Sequence, residues 1–479
     1  MMSMRRRGLS TALRLPRVLV LGSGWGGNKV ARELDKSKFD VRLASPANHF
    51  LFTPMLPGTA VGTLEFRAIQ EPVRTIAGLS EYYQAKARSL DTANRTVQLE
   101  DIFKGASFDV AYDYLILAVG NKTHTFNTPG VAEREGKEVF FLKHLHHARQ
   151  IRNRILECFE RASNPTLSAD ERARLLSFVV VGGGATSCEF TTELADFLKQ
   201  DVARWFPELR PTITLVEAGD RILGPFDEAL ATFYASGLRK RGVDVRTSTA
   251  VRSVECVDDA NGGECVLGDG TVLPMGAMVW SAGLQQVKFV TQGCEALPRD
   301  ERSGRLRTDE FLRVAGTGGR VFAIGDCADI DGVPLPPTAM VAEQQGAYLA
   351  KCFNEYYADY ISVASDVLGD VAGDMELPKP GPVRPAAAPF AALWFVDYAF
   401  AKVPHFRYVE RGAMASMGMG GGILDLGKAQ QGAPGITGVA AAAVWKGAYW
   451  TKQLSWANMM LIPMYWFKTL MFGRDISRF

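Results

Sequence analysis

Apolar runs of strand length alternate with helical periods through most of the chain, and two of them lead directly into glycine-rich loops. Arg17-Val18-Leu19-Val20-Leu21 reads as a buried strand. It enters Gly22-Ser23-Gly24-Trp25-Gly26-Gly27, a helical stretch to Leu34, and a second strand, Val41-Arg42-Leu43-Ala44. The same order returns at residues 178–181, then Gly182-Gly183-Gly184, a helix through Leu198, and the strand Thr212-Ile213-Thr214-Leu215-Val216. Glycine loops 160 residues apart, at Gly22 and Gly182, predict an α/β fold with two Rossmann-type halves. Three more apolar strands end in small residues. They close on Ala118-Val119-Gly120, Ala282-Gly283 and Gly325-Asp326.

Two stretches break this grammar. Residues 361–389 are rich in Asp, Gly, Pro and Ala without helical or strand period, and read as a linker. Residues 439–472 hold eight aromatics, three lysines and no acid, including four of the eight tryptophans. The longest uncharged run there, 453–467, is interrupted by Pro463 and is shorter than the ~20 residues a spanning helix needs. Trp450, Leu454, Ala457 and Leu461 form one apolar stripe, and Trp445, Tyr449 and Trp456 another. Aromatics with Lys446, Lys452 and Lys468 suit an anionic membrane surface, so this tail is expected to lie on lipid without crossing it.

Charge and cysteines narrow the chemistry. A net charge of +2 carries no nucleic-acid footprint. Seven cysteines without CxxC spacing exclude a local redox disulfide and zinc-ligand patterns. His144, His146 and His147 read as a solvated helix face rather than a metal site. The first 17 residues contain five arginines and no acid, the composition of an organelle transit peptide, assigned to residues 1–15.

The glycine loops carry the clearest chemistry. Gly22, Gly24 and Gly27 match GxGxxG between a strand and a helix, the arrangement that brings backbone N–H groups and a helix N-terminus to a pyrophosphate. The acid expected to hold a ribose is replaced by Ser45-Pro46. In the second loop, Gly182 and Gly184 are followed by Ser187 at the third glycine position. Helix and strand there must sit further apart, or the serine must bond locally. Glu217 ends the next strand, where a carboxylate accepts ribose hydroxyls and repels a 2′-phosphate, favouring NADH over NADPH. The interval from Gly182 to Glu217 is longer than usual, and residues 200–211 read as an inserted loop. Asp326 suits contact with FAD or a helix cap.

The segment Phe50-Leu51-Phe52-Thr53-Pro54-Met55-Leu56-Pro57, the strand end Ala118-Val119-Gly120-Asn121, and Leu335-Pro336-Pro337-Thr338-Ala339 resemble the type II NADH dehydrogenases. The likeness covers roughly residues 16–355 and resumes at Phe406-Arg407-Tyr408, at 412–418, and around Trp445, Gly447, Tyr449 and Gly473-Arg474-Asp475. Mitochondrial members resemble this chain in carrying Ser-Pro at the first ribose position. The resemblance implies hydride transfer from NADH to non-covalent FAD and then electron transfer to a membrane quinone, without proton pumping. It implies FAD contacts at Gly22, Gly24, Gly27, Ser45, Thr53, Ala118, Gly120, Gly325, Asp326 and Ala339, and NADH contacts at Gly182, Gly183, Gly184, Glu217, Ala282 and Gly283. It also implies a coupling role for Glu189, and a quinone hydrogen bond from Gln344. In the family's AQxxxQ motif, Met340 stands here for the first glutamine. No metal is implied, and no calcium-binding EF-hand loop interrupts the chain.

The expected organisation is an FAD-binding domain in two parts (16–145 and 312–360) and an NADH-binding domain (146–311). The linker 361–389 and a membrane-associating domain (390–479) follow. A homodimer peripheral on the mitochondrial inner membrane is expected. The rivals are a sulfide:quinone oxidoreductase, which needs a reactive cysteine pair such as Cys158 and Cys352, and a flavoprotein with a structural role like apoptosis-inducing factor.

Overall fold

The computed structural model describes residues 14–258, 262–358, 403–427 and 435–478, so the expected transit peptide (all but its last two residues) and the 361–389 linker lie outside the described residues. The chain divides into two compact units. The first comprises residues up to 50, 72–121 and 286–408. The second comprises 51–71, 122–285 and 409 onward.

In the first unit, five parallel strands run in the order Val321–Ala323, Tyr114–Leu117, Arg17–Leu21, Asp40–Ala44, Glu81–Tyr83. Successive side chains point to opposite faces of a strand, so an all-apolar strand must be covered on both sides. Val18, Val20 and Ile116 face a core closed by the helices Trp25–Glu33 and Ala339–Cys352. Leu19, Leu21, Leu115 and Leu117 face a second core, which the antiparallel strands Ala85–Asp91, Thr96–Asp101 and Ser107–Ala111 help to close. The two helices cross where Gly346 meets Gly26: a Cβ on Gly346 would stand 2.7 Å from the Gly26 carbonyl oxygen.

The second unit repeats the plan. Its parallel sheet runs Val139–Phe141, Ala277–Trp280, Ser177–Val181, Thr212–Val216, Asp244–Arg246. The helix Ala185–Phe197 does not stop where the inserted loop was expected. It continues through a wider turn, Leu198–Val202, to Ala203–Trp205, and the irregular chain begins only at Phe206. Leu198 and Val202 are buried, which favours continuing the helix over leaving it.

A small antiparallel sheet, Ala413–Ser416, Gly422–Asp425 and Ile436–Thr437, and the helices Gly438–Thr451 and Trp456–Phe472 belong to this unit as well. The segment 51–71 is tied to them. Thr469 donates its hydroxyl to the Thr63 carbonyl (3.0 Å), and Asn458 donates to the Gln70 carbonyl and the Glu71 carboxylate (3.1 and 2.9 Å).

The tail corrects one expected pattern. The helix breaks between Thr451 and Trp456, so the 450–461 stripe does not exist as one face. Trp445 and Tyr449 turn inward, Tyr449 against the Phe52 ring at 5.7 Å, whereas Trp456 is 80% exposed. Asn458, Ile462 and Thr469 form the buried face of the last helix, and Trp456, Met460, Met464, Phe467 and Met471 form an exposed one at helical spacing. Among the described residues no helix is long and apolar enough to cross a membrane.

Candidate functional site

The first glycine loop is closed by backbone contact. Gly22 has φ +111°, and a Cβ there would lie 2.2 Å from the Ala118 carbonyl oxygen; one on Gly27 would lie 2.0 Å from the Gly22 oxygen. These two glycines therefore pack the turn. Gly24 differs: nothing lies within 4 Å of its would-be Cβ, and it is the N-cap of Trp25–Glu33 without a side-chain cap bond. An open, uncapped helix end of this kind fits a pyrophosphate, whose oxygens accept from the helix's first N–H groups.

Ser45 is buried beside this loop, its hydroxyl 2.9 Å from that of Ser23, with the Ala47 N–H donating to it at 3.3 Å. Gly120 and Gly325 have φ values of +66° and +69°. The Gly325 N–H donates to Gln345 Oε1 at 2.6 Å, and Gln286 donates to the Asp326 carbonyl at 3.1 Å, which together hold the Gly-Asp turn. Neither glutamine was singled out from the sequence; the adjacent Gln344-Gln345 pair was the available signal. Ala339 opens its helix behind the Thr338 cap, Gln344 is half-buried one turn on, and the Tyr408 hydroxyl lies 3.5 Å from Met340 Sδ. In the second unit, Thr53 is exposed at the start of the short turn Thr53–Met55.

The second loop repeats the open end. Gly184 caps Ala185–Phe197 without a side-chain bond, with open space at its would-be Cβ. Ser187 takes the local option: it is fully buried, and its hydroxyl lies 2.5 Å from that of Ser281 at the end of the neighbouring strand. Glu217 stands at the loop. Gly183 donates its N–H to one carboxylate oxygen, and Gly219 to the other at 2.6 Å. A Cβ on Gly183 would lie 2.8 Å from that carboxylate, so a larger residue there would displace the Glu217 side chain. Each oxygen keeps a lone pair for a ribose hydroxyl. Ala282 accepts from the Trp280 indole at 3.0 Å, and Gly283 (φ +73°) accepts from the His124 N–H at 3.2 Å. Both glycine loops thus fit a dinucleotide.

Glu189 lies on the helix that the second loop opens. It is 8% exposed and accepts the Ser416 N–H at 2.8 Å. Burial pushes its carboxyl up to about 8, partly offset by that N–H and by the Trp445 indole, with the Glu193 charge adding to the rise. Glu189 and Glu193 line one pocket with Thr63, Trp445, Lys446 and Trp466. Glu193 accepts from the Thr63 hydroxyl at 2.5 Å and pairs with Arg474 at 3.3 Å. Arg474 is fully buried and also holds Asp201 at 3.0 Å. Glu193 and Asp201 were not anticipated from the sequence.

The histidines are not a solvated face throughout. His147 is buried, its Nδ1 accepting the Lys143 and His144 N–H groups at 3.3 and 3.2 Å, and burial pulls it down to about 3. Among the described residues no group of three His, Cys, Asp or Glu side chains is placed to hold a metal. All seven cysteines are free; burial pushes Cys158 up to about 11 and Cys352 up to about 12, which leaves them poor nucleophiles.

Residues 16–346 match the family described as pyridine nucleotide-disulphide oxidoreductase, and residues 411–475 match the NDH2 C-terminal domain. Among curated proteins, a probable NADH dehydrogenase of Dictyostelium discoideum is 38% identical over 99% of this chain and 94% of its own length. The mitochondrial internal alternative NAD(P)H-ubiquinone oxidoreductase A1 of Arabidopsis thaliana is 37% identical, covering 97% and 86%. The mitochondrial external NADH-ubiquinone oxidoreductase 2 of Saccharomyces cerevisiae is 33% identical, covering 98% and 83%. In fold, the chain is similar to NDH2 of Plasmodium falciparum solved with NADH, with a TM-score of 0.81 at 24% identity over 97% of this chain and 100% of the other.

Proposed function

The chain belongs to the type II NADH dehydrogenases, within the pyridine nucleotide-disulphide oxidoreductase family, and on that footing we propose that it oxidises NADH with bound FAD and reduces ubiquinone at the mitochondrial inner membrane without pumping protons. When bound, FAD supplies the acceptor for the hydride of NADH and the donor of two electrons to the quinone. The overall balance is NADH, one proton and quinone giving NAD⁺ and hydroquinone, so the protein must deliver a proton.

The residues divide this work. Gly22, Gly24 and Gly27, with Ser45, Thr53, Ala118, Gly120, Gly325, Asp326 and Ala339, are assigned to FAD. Gly182, Gly183, Gly184, Ala282 and Gly283 are assigned to NADH, with Glu217 accepting from the adenosine ribose. Glu189, raised to about 8, holds a proton at neutral pH and is assigned to pass it to the reduced quinone. Gln344 is assigned to donate to a quinone carbonyl.

The observation that carries this reading is the second glycine loop with Glu217 held at its mouth, because a sulfide:quinone oxidoreductase has no use for it. Steady-state turnover with a short-chain ubiquinone tests the function. The kcat/KM for NADH is expected to exceed that for NADPH at least about tenfold, roughly 1.4 kcal/mol of charge repulsion at Glu217. Equal rates would remove the Glu217 assignment. Flavin reduction by NADH without quinone turnover would favour a structural flavoprotein, and sulfide oxidation the third reading.

The exposed face of Trp456–Phe472 is assigned to a membrane surface. The protein is expected to co-sediment with anionic vesicles, less in high salt but not to zero, because apolar burial adds to the attraction of Lys446, Lys452 and Lys468. Met460→Asp with Phe467→Asp should release it while leaving the buried face of the helix intact; retained binding would refute the placement. A homodimer covering part of this face would instead show as a doubled mass in detergent, with vesicle binding insensitive to the same pair.

A further inference from the structure

Two helices of the second unit grip one loop of the C-terminal sheet. From Ala185–Phe197, the residues Glu189, Thr192 and Asp196 stand at i, i+3 and i+7; from Glu228–Lys240 and its end, Tyr234, Gly237 and Arg241 stand at the same spacing. All six meet residues 416–419 or one another. The Tyr234 hydroxyl donates to the Ser416 carbonyl at 2.5 Å and lies 3.0 Å from the Thr192 hydroxyl. Arg241 donates to the Met417 carbonyl at 3.0 Å and to Asp196 at 3.0 Å, and Asp196 accepts the Met419 N–H at 3.3 Å. A Cβ on Gly237 would strike the Met417 side chain at 2.2 Å. Ser416 is therefore held at both ends, its carbonyl by Tyr234 and its N–H by Glu189.

We propose that Tyr234 is a positioning residue for quinone reduction: by anchoring the Ser416 carbonyl it keeps the Ser416 N–H aimed at the Glu189 carboxylate and so sets how readily Glu189 releases its proton. The proposal rests on the assignment of Glu189 as proton donor. Tyr234 is fully buried and burial holds its own hydroxyl protonated, so it acts as a fixed donor and not as an acid. Of the other groups facing Glu189, the Trp445 indole also favours the ionised carboxylate, but less than the Ser416 N–H does. Cys188 is buried and neutral, Glu193 is a like charge one turn along, and Lys446 and Tyr449 come from Gly438–Thr451. Ser416 supplies a directed N–H to the ionised form. Loosening it disfavours ionisation, so the proton is held more tightly.

The test is the pH profile of NADH:short-chain-ubiquinone turnover in the flavin-loaded full chain. Wild-type kcat should fall as pH rises through about 8, where Glu189 ionises. In Tyr234→Phe this limb should move up by about half a pH unit or more, with kcat at neutral pH reduced a few-fold and NADH reduction of the flavin unchanged, as a merely structural lesion would not produce. A Tyr234→Phe limb at the wild-type position, with the limb absent in Glu189→Gln, overturns the positioning role alone. A limb that persists in Glu189→Gln overturns the Glu189 assignment beneath it. Should Tyr234→Phe lose flavin, Thr192→Val carries the same test: a smaller shift in the same direction is expected, and no shift overturns the proposal.

Discussion

Glu189→Gln is expected to slow quinone turnover about 100-fold while leaving stopped-flow bleaching of the flavin by NADH within about twofold of wild type. The amide oxygen of glutamine can still accept the Ser416 N–H at 2.8 Å, so the loop stays in place. What is lost is the ionisable proton, held near neutrality because the carboxyl is buried. The sign of the pH effect follows. A donor with its carboxyl raised to about 8 is protonated and competent below that value, and turnover declines above it. The glutamine variant should be slow and flat across the same range. Unchanged turnover would reduce Glu189 to a helix residue that happens to be buried.

The largest stability effect is expected at Arg474. Its side chain is fully buried and binds Glu193, Asp201, Gln200 and the Thr63 hydroxyl. Arg474→Ala leaves two acids without their shared cation and should destabilise the second unit by about 3–5 kcal/mol, because an uncompensated buried charge costs more than the pair contributed. Arg474→Lys should recover only part, since an ammonium cannot present the guanidinium fork to both acids. Thermal denaturation of the flavin-loaded protein reads this directly. A melting temperature within a degree of wild type for Arg474→Ala would show that the cluster contributes little. Deleting the tail would remove Arg474 and leave the same two acids unpaired, so the paired substitution on its exposed face is the better probe of membrane binding.

Much of the fold was legible because the central strands of both sheets are buried on two faces, and such strands read as unbroken apolar runs leading into glycine. The loops at Gly22 and Gly182 could be placed from spacing alone, and Ser187 posed a choice that its contact with Ser281 resolves. Long-range pairing was not legible. Nothing local ties Arg474 to Glu193, or Thr469 to Thr63, because those contacts depend on how distant segments close on one another. The tail stripe was not legible for a related reason: Trp450 and Leu454 are helical neighbours only if the helix persists, and it ends at Thr451, with Ser455 capping the next one. His147 was misjudged because polar residues at a helix start look solvated, whereas this one turns back to accept its own backbone.

The contact between Glu193 and Arg474 spans 281 residues of chain, and that between Asp201 and Arg474 spans 273. Synthesis at about 5–20 residues per second separates the acids from their cation by tens of seconds. Until then the second unit lacks the 409-onward segment that covers Glu189 and locks residues 51–71. Its native state is therefore a late product, closed only once residue 474 has been made. Any length of the chain threaded through a translocation pore within that interval passes before this unit can close.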